Sequence, residues 1–551
     1  MQSMAPLSNL KSLRRLDVRR CSIRCHGLQD LACLQSLTVK ECGNFFLRPI
    51  EAAHTIITDV SHISMTELTN LKSLRRLDVR RCSFTCHGLQ DLSCLQYLTV
   101  YNCGNFFPWH TEAAHTIKLF PASLETLEIE GESGMQSMAP LSNLKSLRRL
   151  DVRRCSIRCH GLQDLACLQS LTVKECGNFF LRPIEAAHTI ITDVSHISMT
   201  ELTNLKSLRR LDVRRCSFTC HGLQDLSCLQ YLTVYNCGNF FPWHTEAAHT
   251  IKLFPASLET LEIEGESGMQ SMAPLSNLKS LRRLDVRRCS IRCHGLQDLA
   301  CLQSLTVKEC GNFFLRPIEA AHTIINPLPS SLEELEIDGE SSMESMALLS
   351  NLTCLTDLVL VNSENLTVDG FNPPITVNLN SLKMYNRGNC LNRSISADLF
   401  SELVVARTNL LSPADNCQLR ELTVDCISAV LVAPICSLLA ATLHTLEFWY
   451  DHRAESFTEE EERALQLLTS LRFINFMDCP NLLCLPQGLH SLPSLKTLFV
   501  QDCPKIQSLH KGDFPTSLEC LLVQGCSPGL QEQAKQLKGT KPDFNVILEL
   551  E

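Results

Sequence analysis

Leucine-type residues recur along the chain in one frame, L-x-x-L-x-L, with a cysteine three residues after the last apolar position. Leu13-x-x-Leu16-x-Val18-x-x-Cys21 is followed by Leu34-x-x-Leu37-x-Val39-x-x-Cys42, and the frame returns at Leu74, Leu95 and Leu124. Diverged forms begin at Leu355, Leu379, Leu419, Leu443, Leu471, Leu495 and Leu518. The last two apolar positions stand two residues apart. Side chains alternate between the faces of a strand, so these two point together into a core while the flanking x positions point outward. So short a strand cannot bury an apolar side alone. Stacked in parallel, each strand closes its neighbour's core, and the chain returns over the opposite side, which predicts a curved solenoid. The cysteine falls where the strand ends, as a small buried group serving the backbone of the turn. Cys21, Cys42, Cys82, Cys103, Cys479, Cys503 and Cys526 are assigned that structural role.

With a degenerate strand near Ile57 to Ile63 included, about 23 frames of roughly 24 residues fill the chain, matching the period of leucine-rich repeats. The expected fold class is an α/β solenoid: a leucine-rich-repeat horseshoe with a parallel concave β-sheet and an irregular or short-helical convex side. On a coarser scale, Met1 to Gly134 recurs letter for letter as Met135 to Gly268, and a third copy from Met269 holds to Ile325 before diverging at Asn326. The expected divisions are 1–134, its identical copy 135–268, a shortened third unit 269–341, diverged repeats 342–526 with a helical insertion near 458–469, and a C-terminal helical cap and tail, 527–551. Met1 falls in the middle of a repeat, so the natural product is expected to extend further N-terminally. Thr458-Glu459-Glu460-Glu461 is a capping box opening a helix through Leu468. Ser527-Pro528 offers an N-cap and first-turn proline for a helix from Gly529 to Lys538, and the apolar tail beyond it is expected to cover the edge of the last strand.

Composition narrows the function. With 44% hydrophobic and 20% charged residues over 551, the chain is built for a large core. A formal charge of −9 argues against a main task of gripping nucleic acid. No apolar run reaches the roughly 18 residues needed to span a bilayer, and the N-terminus lacks a secretory profile. The chain therefore reads as soluble and cytoplasmic, with nuclear entry open to it, and its 30 cysteines as reduced packing thiols. No phosphate-binding G-x-x-x-x-G-K-[ST], nucleophile elbow, kinase signature or dinucleotide fingerprint occurs. His110-x-x-x-x-His115 has the wrong spacing for a zinc motif, since five residues turn a helix about 140° off one face. Cys21-x-x-x-Cys25-His26 is spoken for by the core role of Cys21. No catalytic residue, metal or cofactor is expected, and the chain is read as a non-enzyme. The sequons at Asn351, Asn365 and Asn392 follow no signal peptide.

The C-terminal third contains DCPNLLCLPQGLHSLPSLKTL and DCPKIQSL, followed by LQEQAKQLKGT. In these phrases it resembles the end of plant intracellular immune receptors, the nucleotide-binding leucine-rich-repeat disease-resistance proteins, particularly their cereal coiled-coil members. The resemblance implies the sensing and restraining part of such a receptor. Its partners would be a pathogen effector, a guarded host protein or the receptor's own nucleotide-binding domain, with no nucleic acid and no membrane span. Nucleotide binding and signalling do not carry over, because no phosphate cradle is present. A substrate adaptor of a ubiquitin ligase is the alternative, since such adaptors also end in cysteine-type repeats; a truncated decoy or pseudogene product is another.

Candidate contact residues come from the outward x positions. The decapeptide SLRRLDVRRC begins at Ser12, Ser73, Ser146, Ser207 and Ser280. Its outward residues form five basic rungs: Arg15, Asp17 and Arg19; Arg76, Asp78 and Arg80; Arg149, Asp151 and Arg153; Arg210, Asp212 and Arg214; Arg283, Asp285 and Arg287. The rungs at Leu13 and Leu74 are three strands apart, about 14 Å at ~4.8 Å per strand, beyond the roughly 8 Å Debye length, and act as separate charges. Glu128 and Glu130 precede the rung at Leu147, as Glu262 and Glu264 precede that at Leu281. Cross-strand ion pairs that keep the face soluble are expected, with an acidic partner surface as the alternative. Toward the C-terminus the outward residues become Trp449, Phe473, Met477, Phe499 and Leu522. Large apolar side chains aligned on a solvent-facing sheet mark a contact surface, unless a neighbouring domain covers them or the register slips by one.

Overall fold

The computed structural model describes residues 9–20, 33–42, 54–58, 73–82, 88–103, 120–131, 141, 144–155, 165, 167–176, 188–192, 207–216, 222–238, 254–265, 272, 275–315, 327–363, 365–370, 378–387, 394, 396–402, 417–509, 514–537 and 544–548. Cys21, Cys25, His26, His110, His115 and Asn392 lie outside them. The chain falls into two compact units, Met1–Met269 and Gln270–Glu551.

In the first unit every predicted frame is a short strand: β1 (Arg15–Arg19), β2 (Ser36–Lys40), β3 (His54–Thr58), β4 (Arg76–Arg80), β5 (Tyr97–Tyr101), β6 (Thr126–Glu130), β7 (Arg149–Arg153), β8 (Ser170–Lys174), β9 (His188–Thr192), β10 (Arg210–Arg214), β11 (Tyr231–Tyr235) and β12 (Thr260–Glu264). Each pairs in parallel with the next, and the core residues stay level: Leu16 faces Leu37, and Val18 faces Val39. The degenerate strand lies upstream of its expected place and overlaps it only at Ile57 and Thr58. The adjacent pair Ile56-Ile57 leaves it ambiguous which residue faces in, and pairing decides, since Ile57 stands level with Val39 on one side and Val79 on the other. Thr55 is thereby drawn into the core where other repeats place leucine, fully buried, its hydroxyl without a hydrogen-bond partner among the described residues.

The second unit repeats the design in β13 (Arg283–Arg287), β14 (Ser304–Lys308), β15 (Glu334–Asp338), β16 (Asp357–Val361), β17 (Ser381–Tyr385), β18 (Glu421–Val424), β19 (Thr445–Trp449), β20 (Phe473–Met477), β21 (Thr497–Gln501), β22 (Cys520–Gln524) and β23 (Asn545–Ile547). The apolar tail is thus a strand, paired in parallel on the edge of β22. Short α-helices of this unit include α1 (Ile427–Val430), α2 (Ala433–Leu439), α3 (Glu459–Leu465) and α4 (Pro528–Leu537), and residues 396–402 are helical as well. Helix α3 opens on the expected capping box: the Glu461 amide donates to Thr458 Oγ1 at 3.2 Å and the Thr458 amide to Glu461 Oε2 at 2.8 Å. It stops before Leu468 because the Leu467 and Leu468 amides turn to carbonyls three residues back, at 3.1 and 3.0 Å, tightening the last turn.

Most strand ends share one device. The residue after the strand takes a left-handed backbone, with φ of 54° at Glu41, 48° at Asn102 and 51° at Asp478. The following cysteine then faces the core. Cys42 Sγ lies 3.3 Å from the Lys40 carbonyl and 3.9 Å from that of Val18 on the neighbouring repeat; Cys503 Sγ reaches Gln501 and Phe476 in the same way, at 3.2 and 3.6 Å. Burial pushes the thiols of Cys176, Cys310 and Cys526 up to about 11, which keeps them protonated and inert. None of the described cysteines is disulfide-bonded. Among the described residues, two repeats put a carboxylate in this place. Glu340 accepts the Phe313 and Ser342 amides, both at 3.2 Å, and Asp451 those of Ile427, Arg453 and Ala454 at 2.7, 2.9 and 3.0 Å. The sequon residues Asn351 and Asn365 donate their side-chain amides to the Leu328 and Ser341 carbonyls of the preceding repeat, at 2.8 and 3.1 Å.

Candidate functional site

The rungs lie on the outward face, but their aspartates are not open to a partner. Asp78, Asp151, Asp212 and Asp285 are all buried, although each occupies an outward position. Neighbouring strands and the rung's own arginines cover them. Arg153 grips Asp151 with two parallel bonds, Nε at 2.9 Å and Nη2 at 2.8 Å, and Arg287 grips Asp285 likewise at 2.8 and 2.6 Å. Arg149 stands 3.8 Å from the same Asp151 carboxylate. Asp17, on β1 with a described strand on one side only, keeps 35% of its side chain exposed beside Arg19. The hydrogen bond from Arg19 holds its carboxyl below the usual range. Cross-strand pairs form mainly at the margin, where Arg154 reaches Glu130 at 3.1 Å and Glu175 at 2.8 Å. Exposed pairs of this kind contribute little to stability and serve to balance charge on the face.

Two tyrosine columns went unnoticed in the sequence. Tyr97 and Tyr101 occupy both outward ends of β5, and Tyr231 and Tyr235 those of β11. Tyr97 and Tyr231 are each 41% exposed. The Arg210 guanidinium sits 6.0 Å from the centre of the Tyr231 ring. The alternation in YLTVY was the available signal.

In the second unit Trp449, Phe473, Met477 and Phe499 are half-buried on the outward face of β19 to β21. Phe473 and Phe499 meet edge to face at 5.0 Å between ring centres. Trp449 lies 4.9 Å from Tyr385, which also stacks on Tyr450 at 5.9 Å. β18 stops at Val424, one residue short of its neighbours, which lets rings of β17 and β19 touch across it. The next residue, Asp425, accepts the hydroxyls of Ser394 and Ser396 at 2.7 and 2.6 Å and the Asn386 amide at 3.1 Å. Burial pushes its carboxyl above the usual range. Glu447 Oε2 takes Trp449 Nε1 at 2.8 Å and Asn475 Nδ2 at 3.0 Å, fixing the indole in place. Asn475 is buried, and its Oδ1 has no hydrogen-bond partner among the described residues. Leu522 does not belong to this surface. It is fully buried, level with Phe499 on one side and with Ile547 on the other, and the strand β23 that supplies Ile547 was read in the sequence only as a tail.

Among the described residues no group of three or more His, Cys, Asp or Glu could hold a metal ion, and no helix is long and apolar enough to cross a membrane. The fold is that of a leucine-rich-repeat protein. No protein-family model matches the chain. The disease resistance protein RPS4B of Arabidopsis thaliana is 26% identical over 231 residues, 39% of this chain, which spans 18% of that relative's length. The crystal structure of a TLR13–ssRNA13 complex superposes with a TM-score of 0.54 at 16% identity, covering 99% of this chain and 90% of that one. The leucine-rich-repeat ectodomain of the Arabidopsis thaliana receptor kinase GASSHO1/SCHENGEN3 gives a TM-score of 0.36 at 15% identity, covering 96% and 70%.

Proposed function

We propose that this chain is the non-catalytic recognition region of an intracellular plant immune receptor, which binds a pathogen effector or a guarded host protein. The same face would restrain the receptor's nucleotide-binding domain until that contact forms, a shift in population driven by differential binding. The observation behind this reading is the aromatic cluster: Trp449 pinned by Glu447 beside the Phe473–Phe499 pair, on an outward face where aromatic anchors concentrate binding energy. The C-terminal phrases shared with resistance proteins and the similarity to RPS4B support the choice of class.

The test is surface plasmon resonance of the full chain against purified pathogen effectors and a resistance-protein nucleotide-binding domain. The doubly substituted Trp449→Ala, Phe499→Ala chain is expected to bind at least about tenfold more weakly, the scale of one hot spot. Unchanged affinity of that variant for a partner of the wild-type chain refutes the assignment of the face.

A further inference from the structure

The five rungs share one sequence but not one ion-pair state. On β1, β7 and β13 the aspartate is gripped by the arginine that follows it, Arg19, Arg153 or Arg287. On β4 and β10 it is held instead by the arginine that precedes it, Arg76 at 3.3 Å and Arg210 at 3.4 Å. The difference tracks the next strand. β2, β8 and β14 read SLTVK, whereas β5 and β11 read YLTVY. Beside the tyrosine strands the second arginine, Arg80 or Arg214, is exposed and joins no ion pair among the described residues.

Arg80 looks onto a cavity of about 180 Å³ that it lines together with Thr99, Tyr101, Glu128 and Glu130, and whose far wall is the Asp151–Arg153 pair of β7. Glu130 is engaged by Arg154, but Glu128 makes no hydrogen bond or ion pair among the described residues. The Arg80 guanidinium and the Glu128 carboxylate, neither in an ion pair among the described residues, lie two strands apart and two residues out of step. Arg80 is level with Tyr101 and Glu130, Glu128 with Thr99, which sets their backbones about 12 Å apart. The volume is below the roughly 300 Å³ at which ligand pockets begin, and suits side chains of a protein. The same residues recur on β10 to β12 as Arg214, Thr233, Tyr235, Glu262 and Glu264. There Glu262 accepts only a long 3.3 Å bond from Thr233.

We infer that the first unit carries two docking sites of the same strand sequence, on β4 to β6 and on β10 to β12, each for a protein segment presenting one acidic and one basic side chain about 12 Å apart. The acid would meet Arg80 or Arg214, the base Glu128 or Glu262, and the stem between them the tyrosine column. The sites lie six strands, about 29 Å, apart, so one chain takes two copies of the segment. This deepens the protein-recognition reading and uses residues separate from the aromatic cluster.

The probe is an array of synthetic 15-residue peptides carrying one Glu and one Lys at every spacing from two to eight residues, with Gln-for-both controls. The best binder is then titrated calorimetrically into the full chain. Two peptides per wild-type chain are expected, and one per chain at unchanged affinity for the double variant Arg80→Gln, Glu128→Gln, whose intact second copy reports correct folding. A peptide series that binds no better than the Gln controls, or a variant that still takes two or takes none, overturns the inference. Trp449→Ala, Phe499→Ala must leave this stoichiometry at two, so the result stands or falls apart from the test of the aromatic face.

Discussion

Replacing Asp451 by alanine isolates what one carboxylate contributes to the stacking of repeats. Asp451 is buried and accepts three backbone amides, the shortest from Ile427 on the preceding repeat at 2.7 Å. Ile427 is itself buried, so its amide has no water to turn to once the carboxylate is gone. A charge-assisted bond lost with its donor left unsatisfied costs about 2 kcal/mol. The other oxygen is shared by Arg453 and Ala454, both nearer to solvent, and adds about 1 kcal/mol. The expected cost is about 3 kcal/mol, felt locally because each repeat touches only its neighbours. Native-state hydrogen exchange reads it directly: the Ile427 amide should exchange on the order of a hundredfold faster in Asp451→Ala, while core amides of β14 and β15 stay unchanged. An Ile427 rate within about threefold of wild type would refute the claim that this carboxylate clamps adjacent repeats.

Asp425 should leave a signature in acid. Its folded-state carboxyl titrates above the ordinary value of 3.8, because desolvation outweighs its bonds to Ser396, Ser394 and the Asn386 amide. The folded chain thus binds this proton more tightly than the unfolded one. Wild type gains stability over Asp425→Asn as pH falls, fully below 3.8, and loses that gain as pH rises through the folded value. Urea titrations of the pair across that window check the sign, and a wild type that weakens relative to the variant on acidification contradicts it. Thr189→Val should stabilise the chain by about 1 kcal/mol and raise the denaturation midpoint, since it removes a fully buried hydroxyl without a partner among the described residues; a lowered midpoint would show that the hydroxyl is satisfied.

The strands were legible because leucine-type residues two apart can share a face only in an extended chain, and the repeat supplies the same evidence many times over. The turns were half legible. Cysteine announced an inward group, yet the left-handed residue before it is Arg, Glu, Asn or Asp in most repeats and glycine at Gly525, while Gly131, Gly265 and Gly339 take the same conformation before a glutamate. No local composition marks such a site, because the neighbouring repeats impose the conformation. Glu340 and Asp451 were invisible for a related reason: a carboxylate in the cysteine place is unreadable until the amides it accepts are in view. Leu522 was placed on the right face but in the wrong environment, since the neighbour that completes its burial comes from a strand of three residues with no leucine frame.

The outward face shows why alternation predicts direction but not accessibility. Asp17 and Asp151 sit in identical decapeptides, yet one stays partly exposed while the other is buried with its carboxylate still facing outward. Beside Asp151 stand strands on both sides, β6 with Glu128 and Glu130 and β8 with Lys174, and Asp151 is covered while Arg153, which grips it, keeps 45% of its side chain exposed. A charge in that setting is committed to its partner within the strand. Where the next strand brings tyrosines instead of Ser170 and Lys174, the same aspartate turns to the arginine on its other side, and the guanidinium left over faces the solvent. Specificity on such a sheet is therefore a property of pairs of adjacent repeats. Recombination that moves whole repeats can redistribute free and engaged arginines without altering a single core leucine.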